Sequence, residues 1–220
     1  MLVKKLEDDS IRLDDSASEA VSGQVLRTDA FLKTDAEKIY LIENYFKQIM
    51  HTLGLDLEDD SLKDTPHRVA RMYVHETFSG LNPKNKPDMT LFENTYGYDQ
   101  MLIEKNITVY SSCEHHFVPI IGKAHVAYIP SGKIIGLSKI NRIVQYCASR
   151  PQVQERLTVQ IASELQDALG IKDIAVVVDA AHLCVSARGI RDIQSSTLTS
   201  FFDGKFRNEE KKKEFLSALK

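Results

Sequence analysis

The chain has little cysteine, no surplus of positive charge and no long apolar run, and each shortage closes off a class of function. Three cysteines in 220 residues are too few, and odd in number, for a disulfide framework, so a reducing compartment fits. Lysine and arginine total 28 against 31 acidic residues, a formal net charge of −3, which argues against generic binding to nucleic acid or to an anionic membrane. No stretch approaches the ~18 consecutive apolar residues of a membrane helix. The segment Met1-Leu2-Val3-Lys4-Lys5-Leu6-Glu7-Asp8-Asp9 turns acidic before an apolar signal core develops, so the reading is cytoplasmic. There is no convincing internal repeat or low-complexity tract. The 43% hydrophobic content is ordinary for a globular chain of this length, which is enough for one sizeable core with a helical arm.

What the chain does have is two thiols in the company of imidazoles. Cys113-Glu114-His115-His116 is answered farther along by Ala181-His182-Leu183-Cys184. Zn²⁺ prefers thiolate sulfur and imidazole nitrogen, and a Cys-x-x-His pair supplies two donors from one turn while a distant strand closes the ring. The expected ligands are Cys113, His116 and Cys184. Three protein ligands leave a fourth position open, which leans towards catalysis rather than a purely structural site. Asp173 to Cys184 reads as a strand, and period-two geometry puts His182 and Cys184 on one face, with His182 beside the metal without binding it. Cys147 lies at helical spacing with Ile140, Ile143 and Val144 and reads as core. His51, His67, His75 and His125 read as structural or surface residues.

Residues 1–33 mix Asp, Ser and Glu without sustained periodicity and read as a mobile or partner-dependent extension. From Thr34 to Gly54 the apolar steps Ile39, Ile42, Phe46, Ile49, Met50 and Leu53 predict an amphipathic helix. A second helix is expected from Thr65-Pro66 to about Gly80. These make an N-terminal helical region over 34–95. Within 96–220, strands are expected at Ile103–Ser111 and Lys123–Ile129. Ile134 to Leu137 leads into a helix near Ser138, and a longer helix runs from Pro151 to Gly170. The pattern implies an α+β arrangement, an antiparallel sheet with helices packed on one face.

Two helix starts carry cations. Arg68, Arg71 and His75 share one stripe of the Pro66 helix, and Lys139 and Arg142 lie on the face of the Ser138 helix away from Ile140, Ile143 and Val144. Helix N-termini present free N–H groups and a positive dipole end, which suits phosphate. Arg188, four residues past Cys184, would bring a phosphate chain within reach of the metal. Gln154 and Glu155 stand in the first turn of their helix, where the macrodipole already accounts for an acidic residue.

In chain order, Thr65-Pro66-His67-Arg68-Val69-Ala70, Ser112-Cys113-Glu114-His115-His116-Phe117, Gly136-Leu137-Ser138-Lys139-Ile140-Asn141-Arg142, Arg150-Pro151-Gln152-Val153-Gln154-Glu155-Arg156 and Cys184-Val185-Ser186-Ala187-Arg188-Gly189-Ile190-Arg191 closely resemble the motifs of the GTP cyclohydrolase I family. The resemblance runs from Ala36 to Phe206. It implies a tunnelling fold assembled as a toroidal homodecamer with active sites between subunits. The implied reaction is zinc-dependent hydrolysis of GTP to 7,8-dihydroneopterin triphosphate and formate, the first step towards tetrahydrofolate and other pterins. It also implies zinc on Cys113, His116 and Cys184, proton transfers by His115 and His182, and Ser138 near the ribose and triphosphate. Glu155 with Gln154 would hold the guanine, and Arg68, Arg71, Lys139, Arg142 and Arg188 the triphosphate. The motifs name no regulatory protein. A zinc-stabilised scaffold without turnover would need neither His115, His182 nor Glu155.

Overall fold

Residues 26, 27 and 29–220 are described in the computed structural model, so most of the expected extension over 1–33 lies outside the described residues. Helix α1 spans Asp35–Thr52. Its start is fixed by a capping box: the Glu37 N–H donates to Thr34 Oγ1 at 3.3 Å, and the Thr34 N–H donates to the Glu37 carboxylate at 2.7 Å. Satisfying two otherwise orphaned donors in this way makes Thr34 the boundary. Only Met50 of α1 is buried. Of the apolar stripe read from the sequence, Ile39, Ile42 and Phe46 are half-buried, while Ile49 and Leu53 at its C-terminal end are 51% and 72% exposed; Tyr40 and Tyr45, off the stripe, are exposed as well.

Helix α2 covers Thr65–Met72, with Asp64 rather than Thr65 at the cap. Pro66 sits in the first turn, where its missing N–H costs nothing. α2 is tied to α1 through His67, whose Nδ1 lies 2.8 Å from Glu43 Oε2. The single helix expected to run to Gly80 instead ends at Met72 and passes into a π-helical turn, Tyr73–Thr77, and a 3₁₀ turn, Ser79–Leu81. The cause is a close approach. The Gly80 N–H donates to the Ser149 carbonyl at 2.9 Å, and a Cβ at Gly80 would fall on the Tyr146 carbonyl oxygen. The chain unwinds to set a glycine against the end of the next long helix.

The short strands β1 (Leu91–Glu93) and β4 (Lys133–Ile135) form an antiparallel pair of their own. The main sheet has β2 (Leu102–Cys113), β3 (Pro119–Tyr128), β5 (Pro151–Gln152), β6 (Ile174–His182) and β7 (Thr197–Phe202), in the order β5-β2-β3-β6-β7. All neighbours are antiparallel except β2 with β5. Helices α3 (Leu137–Ala148) and α4 (Gln154–Leu169) cover one face. There Val109, Ile120, Ala124, Val126, Ile174, Val176 and Val178 bury themselves against Ile140, Ile143, Val144, Leu157, Ile161 and Leu165. Each such side chain contributes roughly 1.5–3 kcal/mol of transfer free energy. Cys147 is fully buried in this layer, as its spacing required, and burial pushes its thiol pKa up to about 12, leaving it inert.

The expected antiparallel sheet with helices on one face is therefore present, with several departures at the ends of elements. The helix expected from Pro151 starts at Gln154, because Pro151 and Gln152 pair with Ser112 and Cys113 as a short parallel edge strand, a position that tolerates a residue without a donor. The strand expected to reach Cys184 stops at His182, and Leu183–Ser186 forms a single helical turn, α5. Strand β7 and the C-terminal helix α6, Glu209–Ala218, extend the fold beyond the elements that the sequence pattern predicts. α6 is capped by Asn208, whose side chain accepts from the Glu210 and Lys211 N–H groups. With Phe206, its Phe215 covers Ala127, Ile129, Ala175 and Val177 on the opposite face of the sheet. Both faces being covered there explains the unbroken apolar run Ile174–Val178.

One bulge interrupts β2. The pairing slips between Glu104 and Ile107, with Asn106 at φ 63° and its N–H donating to Nδ1 of buried His125 at 3.3 Å. An accepting Nδ1 requires the neutral ring. Burial, with Lys123 next in weight, holds the His125 pKa below its ordinary value, against the opposing pull of Asp179. The unfolded chain, with an ordinary histidine pKa near 6.5, takes up the proton first as pH falls, so this stability is present above that pKa and is lost on acidification towards the folded value. His125→Gln is expected to reduce the fall in thermal midpoint on acidification below about pH 6.5; calorimetric scans showing an unchanged slope would contradict this. Gly80→Ala is expected to cost about 1–3 kcal/mol in urea unfolding, through forced displacement of the 79–81 turn from α3.

Candidate metal centre and active site

The sheet register gathers the chemistry. Ser112 pairs with Pro119, and Ile120 pairs with His182, so the end of β2, the start of β3 and the end of β6 share one edge of the molecule. Past Cys113 the chain makes a tight turn in which the Cys113 carbonyl accepts from the Phe117 N–H at 2.8 Å, while the Cys113 N–H donates to Val118 at 2.8 Å. Phe117 has φ 55°, a left-handed conformation that costs a non-glycine residue on the order of 1 kcal/mol or more. Its ring packs edge-on against Phe78 and Tyr73, with centroids 5.0 and 6.3 Å away. The π-helical turn after α2 is thus what holds this strained residue in place.

Within that frame the ligand-type atoms of Cys113, His116 and Cys184 all lie within 4.8 Å of one another. Cys113 is buried and Cys184 partly so. Burial first, and then the neighbouring Cys113 thiol, push the Cys184 pKa up. His115 joins the cluster, its Nδ1 3.6 Å from Cys113 Sγ. Arg188 reaches it too, with Nη1 3.1 Å from His116 Nε2. Cys184 arrives on the α5 turn, so the same-face argument from strand alternation reaches the right neighbourhood by the wrong geometry.

His182 ends β6, and its Nε2 lies 2.7 Å from Gln154 Oε1. The Gln154 nitrogen faces the Val178 and Thr197 carbonyls at 3.0 and 2.7 Å. Two carbonyl acceptors fix the amide orientation, so His182 donates from Nε2 and keeps Nδ1 free as an acceptor. Burial holds the His182 pKa below its usual value, against the pull of Glu155, and the ring is neutral near pH 7. Gln154 is 1% exposed, and its amide, which the resemblance assigns to the guanine, bonds His182 and the sheet. Nothing in the spacing signals that pairing. Glu155 is exposed on the same helical turn.

The remaining expected residues lie on α2 and α3. Ser138 and Lys139 occupy the first turn of α3, and no hydrogen bond or ion pair among the described residues joins them to the cluster. Arg142 lines a separate cleft of about 430 Å³ with Ser79, Asn85, Gln145, Tyr146 and Ser149. Arg68 lies 3.7 Å from Asp64 on α2, and Arg71 is exposed on the same helix.

The fold and site together define an α+β protein in which strand ends assemble a Cys/His/Cys donor set beside an oriented imidazole. The family model for GTP cyclohydrolase I matches residues 42–220, and the chain belongs to that family. It is 58% identical over 214 residues to a GTP cyclohydrolase 1 of Flavobacterium johnsoniae, covering 97% of this chain and 96% of that one. It is 56% identical over 180 residues to that of Aeromonas hydrophila, covering 81% and 83%. A solved structure of the archaeosine synthase QueF-Like in its apo form is similar at 17% identity and a TM-score of 0.39, covering 46% of this chain and 90% of that one. No helix among the described residues is long and apolar enough to cross a membrane.

Gln154→Leu removes the hydrogen bonds to the Val178 and Thr197 carbonyls and to the His182 ring, and is expected to cost about 1–3 kcal/mol. Equilibrium urea unfolding checks this; a loss under about 0.5 kcal/mol would show that the amide is not holding the site together.

Proposed function

We propose that this chain is a zinc-dependent GTP cyclohydrolase I, hydrolysing GTP with water to 7,8-dihydroneopterin triphosphate and formate, at the entry to tetrahydrofolate-type pterins in the cytoplasm. The observation that carries the reading is the convergence of Cys113, His116 and Cys184 within 4.8 Å, with His115 and His182 alongside, in a member of this family. The donor set fits zinc: two sulfurs and one imidazole nitrogen are the ligand types the ion prefers, and three ligands leave a place for chemistry. When bound, zinc supplies Lewis acidity that lowers the pKa of a water molecule towards neutrality.

The chain's own residues do the rest. His182, neutral and held by Gln154 with Nδ1 available, accepts and returns protons as the C8–N9 and C8–N7 bonds of the purine break and formate leaves. His115, whose Nδ1 lies 3.6 Å from Cys113 Sγ, serves the second proton transfer as general acid and base. Glu155 offers a carboxylate to the donor edge of guanine, above Gln154. Arg188 brings a positive charge to the donor cluster for the triphosphate, with Ser138 near the ribose and Lys139, Arg142, Arg68 and Arg71 completing the anion site. The active site is read as lying between subunits of a toroidal homodecamer, as the motif resemblance implies. The exposed Tyr40, Tyr45, Ile49 and Leu53 on and just after α1 support association.

Zinc-replete protein mixed with GTP is expected to show the rising ultraviolet absorbance of a dihydropterin. His182→Ala should lower the rate by about 10²–10⁴, as for a lost acid–base group. Cys184→Ser or dialysis against a chelator should abolish it, with zinc restoring only the chelated parent. Tight GTP binding without any rise would overturn the reading in favour of a nucleotide-binding scaffold.

A further inference from the structure

Glu114, Gln152 and Arg156 belong to the quoted motifs but have no part in the reaction as drawn, and the structure joins them into one frame. Arg156 donates from Nε to Gln152 Oε1 at 3.0 Å and from Nη2 to the Glu114 carboxylate and, at 3.4 Å, to the Pro151 carbonyl. The Glu114 N–H donates to the Gln152 carbonyl at 3.0 Å. Gln152 is completely buried. Its amide nitrogen donates to the Cys147 carbonyl and to Gln160 Oε1, both at 2.8 Å. The side chains of Arg156 and Glu114 are 23% and 32% exposed, a partly buried charge-assisted pair and not a screened surface contact.

The position of this frame gives it more than a packing role. Glu114 lies between Cys113 and the His115-His116 pair, and its other oxygen is 3.9 Å from His115 Nε2. The third donor, Cys184, comes from beyond β6 and is not touched by the frame. The spacing between donors on the two sides therefore depends on how the 113–117 turn is seated against α4. Arg156 sets that seat from the helix that also carries Gln154 and Glu155.

We propose that Arg156 is a positioning residue which, through Glu114, preorganises the Cys113-to-His116 turn for zinc and fixes its placement relative to Glu155. This rests on Cys113, His116 and Cys184 being the zinc ligands. Partners outside the ligand set characteristically change metal affinity by roughly 10–100-fold.

The test is zinc affinity measured by competition with a chromophoric chelator, which needs no turnover. Arg156→Met and Glu114→Gln are each expected to weaken zinc binding by about 10-fold or more, with the double variant no weaker than the poorer single, as a coupled pair requires. Arg156→Lys keeps the charge but not the fork, and should recover part of the loss. Phe215→Leu, in the core behind the opposite face, serves as a control of lowered thermal stability with unchanged zinc affinity. The proposal fails if Arg156→Met binds zinc as tightly as the parent, or if Phe215→Leu loses affinity to the same degree at equal thermal midpoint. A parent that binds no zinc, or binds it equally after Cys113→Ser, sinks the metal reading itself.

Discussion

The whole site hangs on the antiparallel pairing of β2, β3 and β6. Because Ile120 lies opposite His182 and Ser112 opposite Pro119, two segments far apart in the chain deliver their thiols and imidazoles to one corner of the sheet. A slip of one residue in either pairing would turn each strand's side chains to the other face. The apolar layer under α3 and α4 prevents this, since Val109, Val126, Val176 and Val178 would all be moved into solvent or onto the wrong core. The hydrophobic pattern that folds the protein is also what brings the donors together.

The N-terminal helices stand in a different relation to that corner. They do not supply a ligand atom in the single chain, yet Tyr73 and Phe78 hold the ring of Phe117 in the strained position that closes the 113–117 turn. Gly80 fastens the same segment to the end of α3. The π-helical turn is the price of these two attachments, since a regular α-helix through Thr77 would not deliver both. Such turns recur at functional sites because they re-aim side chains without ending the helix outright.

Much of this was legible in the sequence, and where it was not the reason is physical. The donor triad could be read because soft-metal chemistry restricts residue types and a Cys-x-x-His turn restricts spacing. Helix α1 could be read because its periodicity is long and Thr34 marks its start, and α3 from its apolar spacing, although its cap is Gly136, which offers no side-chain bond. The ends of elements were harder. Proline at 151 resembles a helix start, yet Gln152 is drawn into the sheet by Glu114 and by its own buried amide, bonds that no spacing reveals. The strand through Ile174–Val178 gives no local sign that it stops at His182. β7 carries no strong sequence signal of its own, whereas Asn208-Glu209-Glu210 is a recognisable cap for α6. Gln154 illustrates the deeper limit, since its partners come from β6 and β7 and exist only once the sheet is closed.

The placement of Cys184 on a helical turn, rather than on the strand before it, separates two tasks that a strand residue would have to share. A sheet position is quantised: its side chain points up or down, and moving it means breaking a ladder. One turn of helix rotates successive side chains by about 100°, a finer adjustment that leaves the β6 ladder intact. The corner is thus built from one rigid jaw, the Cys113 turn braced on three sides, and one adjustable jaw on α5. The spacing of the three donor atoms can be trimmed by small changes in residues 183–188 while the fold that created the corner stays as it is.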